Sequence, residues 1–203
     1  MLEKIRALLA DAGDKKAFFK RIAFFMPTLD YRYKAIEKAY DAAEKASENK
    51  KRDGGEPVSE HWRAVALILI VYLRVKDYCL IVAAILHDIV EDDPTWTIER
   101  IAREFGDEVA ALVEWLTKPA REFPDEAERN KAYHERFDYA PREFFLIKLS
   151  DRLHNLVTLW SCDEEKRLRK IEETKQYYLP FAEKHLILLH EIEEAIRVLE
   201  EKK

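Results

Sequence analysis

The chain has 203 residues and a formal net charge of −5, from 35 basic and 40 acidic side chains spread along its length. This balance argues against general binding to nucleic acid or to anionic membranes, but it leaves room for a local basic pocket that holds a phosphorylated small molecule. The length, a hydrophobic content of 48% and only four glycines predict one compact, helix-rich domain over residues 1–203.

The sequence carries no pattern that predicts secretion or membrane insertion. Its amino-terminal segment lacks the long apolar stretch of a signal peptide. The most apolar segments, 64–73 and 80–86, are too short to cross a bilayer and are predicted to be buried helices. Cys79 and Cys162 are the only cysteines, and we expect reduced thiols rather than a disulfide. A soluble, cytoplasmic protein is therefore expected.

Almost every segment has helical rather than strand periodicity. After a short opening helix, helices are predicted over 15–25, 31–48, 58–75, 77–92, 97–105, 107–118, 126–139, 142–160 and about 163–201. The clearest loop is 49–57, which holds two of the four glycines and a proline. Gly106 and four prolines fall at the other breaks, and Pro180 should break or bend the last helical region. The pattern predicts an all-α fold.

Four potential metal ligands lie on three of the predicted helices: His61, the adjacent pair His87 and Asp88, and Asp151. Two imidazoles and two carboxylates form a mixed nitrogen and oxygen set, which suits a divalent cation such as Mn, Zn or Fe. Asp88 and Asp151 each follow a long apolar run, where an isolated carboxylate costs several kcal/mol unless it is paired or bound to a cation. These residues predict metal-assisted hydrolysis.

The segment HDIVED adds two further carboxylates, Glu91 and Asp92, which a continuous helix would place on the same face as His87 and Asp88. A bound divalent ion lowers the pKa of its water, and a nearby carboxylate can take the proton. The sequence therefore predicts ligands followed by proton-handling residues.

Asn155 follows Asp151 by one helical turn and could offer its amide to a substrate. The neighbouring Lys148 and Arg152 are expected either to pair with buried carboxylates or to stay solvated. His154 is predicted to point elsewhere on the helix, as a structural or surface residue. Taken singly each motif has an ordinary explanation, since His61 could be a helix-boundary residue and 49–57 a solvated loop. Their order and combination favour a metal site.

Five segments together resemble the hydrolase domain of the RelA/SpoT homologue family, over roughly residues 35–185. They are AYDAAEKASENKKRDGGEPVSEHWRAVA, AAILHDIVEDDPTWT, LVEWLTK, IKLSDRLHNLVTL and ETKQYYLPFA. The resemblance implies an all-α HD-domain bundle. It also implies hydrolysis of the 3′-pyrophosphate of guanosine tetra- or pentaphosphate, which yields GDP or GTP.

The resemblance further implies roles for individual residues. One ion, usually manganese, would be bound by His61, His87, Asp88 and Asp151, while Glu91 and Asp92 would activate the attacking water. Contacts to the guanine nucleotide would come from Arg52, Asn155 and Tyr178.

Three positions depart from the family pattern, and they leave the substrate open. Asp53 stands where the family often has lysine, Ser47 where it often has histidine, and Val157 where it has arginine. A phosphohydrolase acting on another nucleotide is the nearest alternative. A non-catalytic nucleotide sensor is a third hypothesis, although the Glu91–Asp92 pair argues against it.

The first 30 or so residues lie outside the resemblance. Their aromatic side chains are expected to pack on the bundle, and a dimer contact, and with it a homo-oligomer, is the alternative. These side chains are Phe18, Phe19, Phe24 and Phe25.

Overall fold

A computed structural model describes residues 2–10, 13–119 and 123–201. Within these residues the chain is helical and no strand forms; an isolated bridge joins Lys51 and Pro57. The prediction of an all-α fold is confirmed. The helices are α1 (Leu2–Ala10), α2 (Lys15–Ala23), α3 (Tyr31–Ala46), α4 (Val58–Leu67), α5 (Tyr78–Leu86), α6 (Ile89–Asp92), α7 (Ile98–Phe105), α8 (Asp107–Leu116), α9 (Glu126–Glu135), α10 (Arg142–Thr158), α11 (Glu164–Tyr177), α12 (Leu179–His185) and α13 (Leu189–Glu200).

Helices α5 and α10 form the centre of the bundle. In α5 every residue from Cys79 to Leu86 is buried, and the helix packs against α3, α4 and α8. Asp77 caps its amino terminus, because its side chain accepts hydrogen bonds from the backbone nitrogens of Cys79 and Leu80 at 2.8 and 3.4 Å. Helix α10 contacts α4, α5, α8, α12 and α13. The three helices that carry the predicted ligands, α4, α5 and α10, therefore touch one another.

Two predicted helices are interrupted. The segment predicted as 58–75 is α-helical to Leu67 and continues as a π-helical turn over Ile68–Tyr72. The segment predicted as 77–92 breaks between α5 and α6, where Asp88 has φ −106° and ψ 0°. His87, Asp88, Glu91 and Asp92 therefore do not share the face of one continuous helix, as the sequence had suggested. The physical difference is the backbone of Asp88, whose ψ of 0° departs from the value of about −42° that a continuous α-helix requires.

The aromatic residues of the amino-terminal segment divide into two groups. Phe18 and Phe19 are buried, and their ring centroids both lie 5.3 Å from that of Tyr40 on α3. Phe24, which follows α2, is 94% exposed, and Phe25 is half-buried. The prediction that all four pack on the bundle is wrong for Phe24. Phe24 follows the last residue of α2 and lies about 120° around the helical path from Phe18, away from the buried face.

The region predicted as one helix with a break at Pro180 contains two breaks. Pro180 lies in the first turn of α12, as expected of a residue without a backbone N–H. A second break follows at Leu186 and Leu188, which both adopt left-handed conformations with φ of 53° and 52°. Among the described residues, no helix combines the length and the hydropathy that crossing a membrane requires.

Candidate metal centre

The structure brings the four predicted ligands together. His61 lies on α4, His87 at the end of α5, Asp88 in the turn before α6, and Asp151 on α10. The Nε2 atoms of His61 and His87 are 3.2 Å apart, and His87 Nε2 lies 3.1 Å from Asp88 Oδ2. Asp151 joins through His61, whose Nε2 lies 3.2 Å from Asp151 Oδ1.

The three separations of 3.1–3.2 Å fit a shared ion, whereas His61 Nε2 and Asp88 Oδ2 are further apart, at 3.8 Å. Ligand atoms at about 2.1 Å from one metal lie roughly 3.0–3.4 Å apart in tetrahedral or octahedral arrangements. His61, His87 and Asp88 each offer an atom within 4.8 Å of the others. His61, His87 and Asp151 are almost fully buried, whereas the Asp88 side chain is 43% exposed, so the cluster is open to solvent on the Asp88 side. The residues present therefore fit a divalent cation.

His87 is oriented by its backbone contact. Its Nδ1 lies 2.8 Å from the carbonyl oxygen of Ala84, which can only accept, so Nδ1 carries a hydrogen and Nε2 faces the cluster. Burial favours the neutral ring, but the adjacent Asp88 carboxylate outweighs it and raises the pKa of His87 to about 9. The Asp88 carboxylate thus favours positive charge at the point that His87 Nε2 faces.

Asp151 has the densest set of contacts. Its Oδ2 accepts from Lys148 Nζ at 2.9 Å, and its Oδ1 accepts from Asn155 Nδ2 at 2.6 Å. Burial opposes ionisation, but the Lys148 ammonium and His61 hold the pKa of Asp151 well below its usual value. Lys148 thus pairs with a buried carboxylate, which is the first of the two alternatives predicted for it; the other was that it stays solvated. Arg152 pairs with the partly buried carboxylate of Glu173 at 2.8 Å.

His154 corrects a prediction. It does not point away from the site: it is 6% exposed, and its Nδ1 lies 2.8 Å from His61 Nδ1. Arg52 Nη1 lies 3.2 Å from the same atom of His154. The spacing of three residues from Asp151 on one helix was the available signal, since residues i and i+3 share a face. The contact between His154 and His61 spans 93 positions, so helical spacing within one segment could not predict it.

Glu91 and Asp92 lie on α6 at the edge of the cluster rather than among the ligands. Glu91 Oε1 accepts from the backbone nitrogen of Lys118 at 2.9 Å. Asp92 Oδ1 lies 3.6 Å from Lys50 Nζ, and the same ammonium donates to the Asp92 carbonyl. Burial and the neighbouring Asp88 charge raise the pKa of Asp92. Both carboxylates line the cleft that opens from the cluster.

That cleft has a volume of about 390 Å³ and also contains the three predicted substrate residues. Arg52 Nη2 donates to Asn155 Oδ1 at 2.6 Å. Tyr178 lies beneath the Arg152 guanidinium, whose central carbon is 3.7 Å from the ring centroid. Beyond the ligands, the cleft wall is rich in basic side chains, which the sequence did not predict as a group. They are Arg52, Lys118, Lys148, Arg152, Lys166 and Lys170.

The three departures from the family pattern occupy different environments. Asp53 lines the cleft and forms an ion pair with Lys166 of α11. Ser47 is buried, where it donates to the Ala43 carbonyl at 2.7 Å and accepts from Trp62 Nε1 at 3.3 Å. Val157 lies outside the cleft, in a separate depression between α1, α4 and α10. Asp53 is therefore the departure that changes the charge of the cleft itself.

Comparison with known proteins gives consistent results. A family model described as HD domain matches residues 39–187. Guanosine-3′,5′-bis(diphosphate) 3′-pyrophosphohydrolase of Aquifex aeolicus (strain VF5) is 40% identical over 151 residues, covering 72% of this chain and 21% of that protein. The bifunctional (p)ppGpp synthase/hydrolase SpoT of Escherichia coli (strain K12) is 37% identical over 171 residues, covering 82% of this chain and 24% of that protein. The chain thus spans less than a quarter of the length of these relatives.

A solved structure supports the fold. It is described as "A metazoan ortholog of SpoT hydrolyzes ppGpp and plays a role in starvation responses", and it superposes with a TM-score of 0.70. The alignment covers 80% of this chain and 94% of that one at 24% identity, a level that establishes a shared fold. The resemblance to RelA/SpoT homologues is confirmed over the matched residues. The chain belongs to the HD-domain family.

Proposed function

We propose that this chain is a metal-dependent phosphohydrolase that cleaves the 3′-pyrophosphate of guanosine tetra- or pentaphosphate. With guanosine tetraphosphate, one water is consumed and GDP and pyrophosphate are released. One observation carries the proposal: three of the four predicted ligands line one cleft together with the two α6 carboxylates and the three predicted nucleotide residues. The fourth, His87, lies behind them, with its Nε2 atom 3.2 Å from that of His61. The activities named for the relatives in Aquifex aeolicus and Escherichia coli support this substrate.

A single divalent ion, manganese in our proposal, would be held by His61, His87, Asp88 and Asp151. When bound, such an ion supplies positive charge that polarises a phosphoryl oxygen and acidifies water. The protein's part is to keep both imidazole Nε2 atoms and both carboxylates aimed at one point. The buried Lys148 partner keeps Asp151 ionised for this purpose.

The two carboxylates of α6 would handle the attacking water. Asp92 has a raised pKa, caused by burial and by the Asp88 charge, which makes it a better proton acceptor than an ordinary aspartate. Glu91 is oriented by the backbone N–H of Lys118 at 2.9 Å. We propose that Asp92 takes the proton and that Glu91 orients the water.

The basic wall of the cleft would bind the phosphates. Lys118 is half-buried, and burial together with the charges of Lys148 and Lys170 lowers its pKa. Lys148 and Lys170 are paired with Asp151 and Glu173 at 2.9 and 2.7 Å, so an anion beside Lys118 would chiefly relieve the repulsion on Lys118 itself. Arg52 and Asn155, already hydrogen-bonded to each other, would contact the nucleoside side, and Tyr178 would lie further along the cleft.

The decisive experiment is pyrophosphate release from guanosine tetraphosphate by metal-stripped protein, with and without added manganese. We expect manganese-dependent formation of GDP and pyrophosphate in equal amounts, and no release by Asp88→Asn. Folded protein that binds manganese and leaves the substrate intact would contradict the proposal.

The cleft also favours a second candidate, a phosphohydrolase acting on another nucleotide. The Asp53–Lys166 ion pair places a negative charge where the family often carries a positive one, and this disfavours a highly phosphorylated ligand. A panel of nucleoside mono- and triphosphates and guanosine tetraphosphate, assayed with one preparation, separates the candidates. Faster turnover of a nucleotide without a 3′-phosphate would select the second.

A further inference from the structure

The Nδ1 atom of His154 faces two possible hydrogen-bond donors. Arg52 Nη1 lies at 3.2 Å and His61 Nδ1 at 2.8 Å. A guanidinium has donors and no acceptor, so the nitrogen it addresses must present a lone pair. His154 Nδ1 therefore carries no hydrogen. Because two bare nitrogens 2.8 Å apart would repel each other, the hydrogen between the two rings belongs to His61 Nδ1.

This assignment determines what His61 presents to the ligand cluster. A neutral imidazole with its hydrogen on Nδ1 has its lone pair on Nε2, the atom that lies 3.2 Å from both His87 Nε2 and Asp151 Oδ1. Without such a constraint, the Asp151 carboxylate would attract the hydrogen to Nε2, because a carboxylate can only accept. A hydrogen on Nε2 would block the lone pair.

The surroundings leave little alternative to this arrangement. His61 is 5% exposed and His154 is 6% exposed, so water cannot readily replace His154 as the acceptor. Arg52 is itself held in place, since its Nη2 donates to Asn155 Oδ1 at 2.6 Å. The contacts from Arg52 to His154 and from His154 to His61 thus link the cleft to the ligand cluster.

We propose that His154 is a positioning residue that fixes His61 with its hydrogen on Nδ1, so that Nε2 is free to bind a divalent ion, and that Arg52 maintains His154 as the acceptor. The inference rests on the metal site of the proposed function and is independent of which nucleotide is cleaved. Groups that orient a metal-bound histidine typically change metal affinity by about 10–100-fold.

The test compares His154→Asn with His154→Leu. The side-chain oxygen of asparagine can take the place of Nδ1 as an acceptor, whereas leucine has a similar volume and accepts nothing. Manganese binding, measured by calorimetry without nucleotide, should stay within about threefold of the parent for His154→Asn and weaken by about 10–100-fold for His154→Leu. Thermal unfolding of both variants shows whether they are folded.

A second measurement reads the hydrogen directly. In ion-free protein labelled with ¹⁵N-histidine, long-range ¹H–¹⁵N spectra should place the hydrogen of His61 on Nδ1 in the parent and in His154→Asn. In His154→Leu the hydrogen should move to Nε2. Arg52→Met, in which the same shift is expected, replaces His154→Leu if that variant does not fold. His61→Gln assigns the signal by its loss.

An unchanged His61 signal and unchanged manganese affinity in His154→Leu or Arg52→Met would overturn the inference, as would a parent protein that binds no manganese. Failure to hydrolyse guanosine tetraphosphate would overturn only the proposed substrate, because neither measurement contains a nucleotide.

Discussion

At the residue scale, the four carboxylates in and beside the ligand cluster fall into two pairs that differ in their contacts. Asp88 and Asp151 face imidazole nitrogens at 3.1 and 3.2 Å, whereas Glu91 and Asp92 contact backbone and lysine groups at the cleft edge. The neighbouring Asp151 charge opposes ionisation of Asp88, and a cation bound by both carboxylates would remove that repulsion. The first pair is therefore suited to hold an ion and the second to act on water.

Asp88→Asn and Glu91→Gln should separate these roles. Removing the Asp88 charge should weaken manganese binding by at least about 100-fold, since a ligand is lost. Glu91→Gln should retain the ion while hydrolysis slows by about 10²–10⁴-fold, the usual contribution of a proton-handling or orienting group. Calorimetry and pyrophosphate release measure the two effects. Equal loss of manganese in both variants would show that this division of roles is wrong.

His134 gives a pH-dependent prediction. Burial is the main reason that its pKa falls to about 4, below the usual 6.5, and its ring stacks on Tyr177 with centroids 4.0 Å apart. Between pH 6.5 and 4 the unfolded chain therefore binds more protons than the folded one, so the free energy of unfolding decreases as the pH falls. The slope from one such group is at most about 1.4 kcal/mol per pH unit.

The measurement is urea unfolding of the parent and of His134→Phe at pH 7 and pH 5. The parent should lose more stability across this interval than the variant, which has no proton to bind at position 134. Glu173 does not interfere, because its pKa is lowered from 4.5 to about 2, despite burial, by Arg152 and Lys170. Equal losses in the two proteins would contradict the prediction.

At the element scale, α2 is attached to the bundle through one aromatic face. Phe18 is fully buried against Tyr40 and contacts Phe19, while Phe24 is exposed. Burial of an aromatic side chain stabilises a fold only where its surface is removed from water. Phe18 and Phe24 therefore allow the effect of burial on stability to be compared for the same residue type.

Phe18→Ala should lower the free energy of unfolding by about 3–5 kcal/mol, the usual cost of removing a buried aromatic ring. Phe24→Ala should change it by less than about 0.5 kcal/mol, because the ring is already in water. Chemical denaturation measures both. A comparable loss in Phe24→Ala would mean that Phe24 is covered in solution, as in the dimer alternative.

At the scale of the whole molecule, the ligand cluster ties together three helices distant in sequence. His61 on α4, His87 after α5 and Asp151 on α10 come from the mutually packed centre of the bundle. The unfolded chain has no such arrangement, so an ion that binds the cluster binds the folded state selectively. Metal binding and folding stability are therefore linked.

Manganese at about 100 times its dissociation constant should stabilise the fold by about 2.7 kcal/mol. For a chain of this size that corresponds to a rise in melting temperature of roughly 5–11 °C. Thermal scans of metal-stripped protein, with manganese and then with excess chelator, measure the shift. Asp151→Asn should abolish it. If manganese did not change the melting temperature of the parent protein, the proposed metal site would be contradicted.

The sequence alone determined most of the secondary structure and the identity of the proposed ligands. Helix boundaries could be predicted because Gly106 and four prolines fall at the breaks. The structure adds capping side chains at several helix starts, such as Thr97, Asp125 and Asp163, each of which accepts from a backbone nitrogen three residues on. The charged residues after long apolar runs identified His87, Asp88 and Asp151 because buried charges require partners. The break at Asp88 has no comparable signal, since it needs neither glycine nor proline.

Only the tertiary structure decided how these residues meet. His154 faces His61 across 93 positions, and the Asp53–Lys166 pair spans 113, distances in sequence that no local periodicity encodes. Helical spacing fixes which residues share a face, but not which helix that face packs against. The identity of the proposed ligands is thus a property of composition and order, whereas the acceptor proposed to orient His61 and the charge of the cleft are properties of packing.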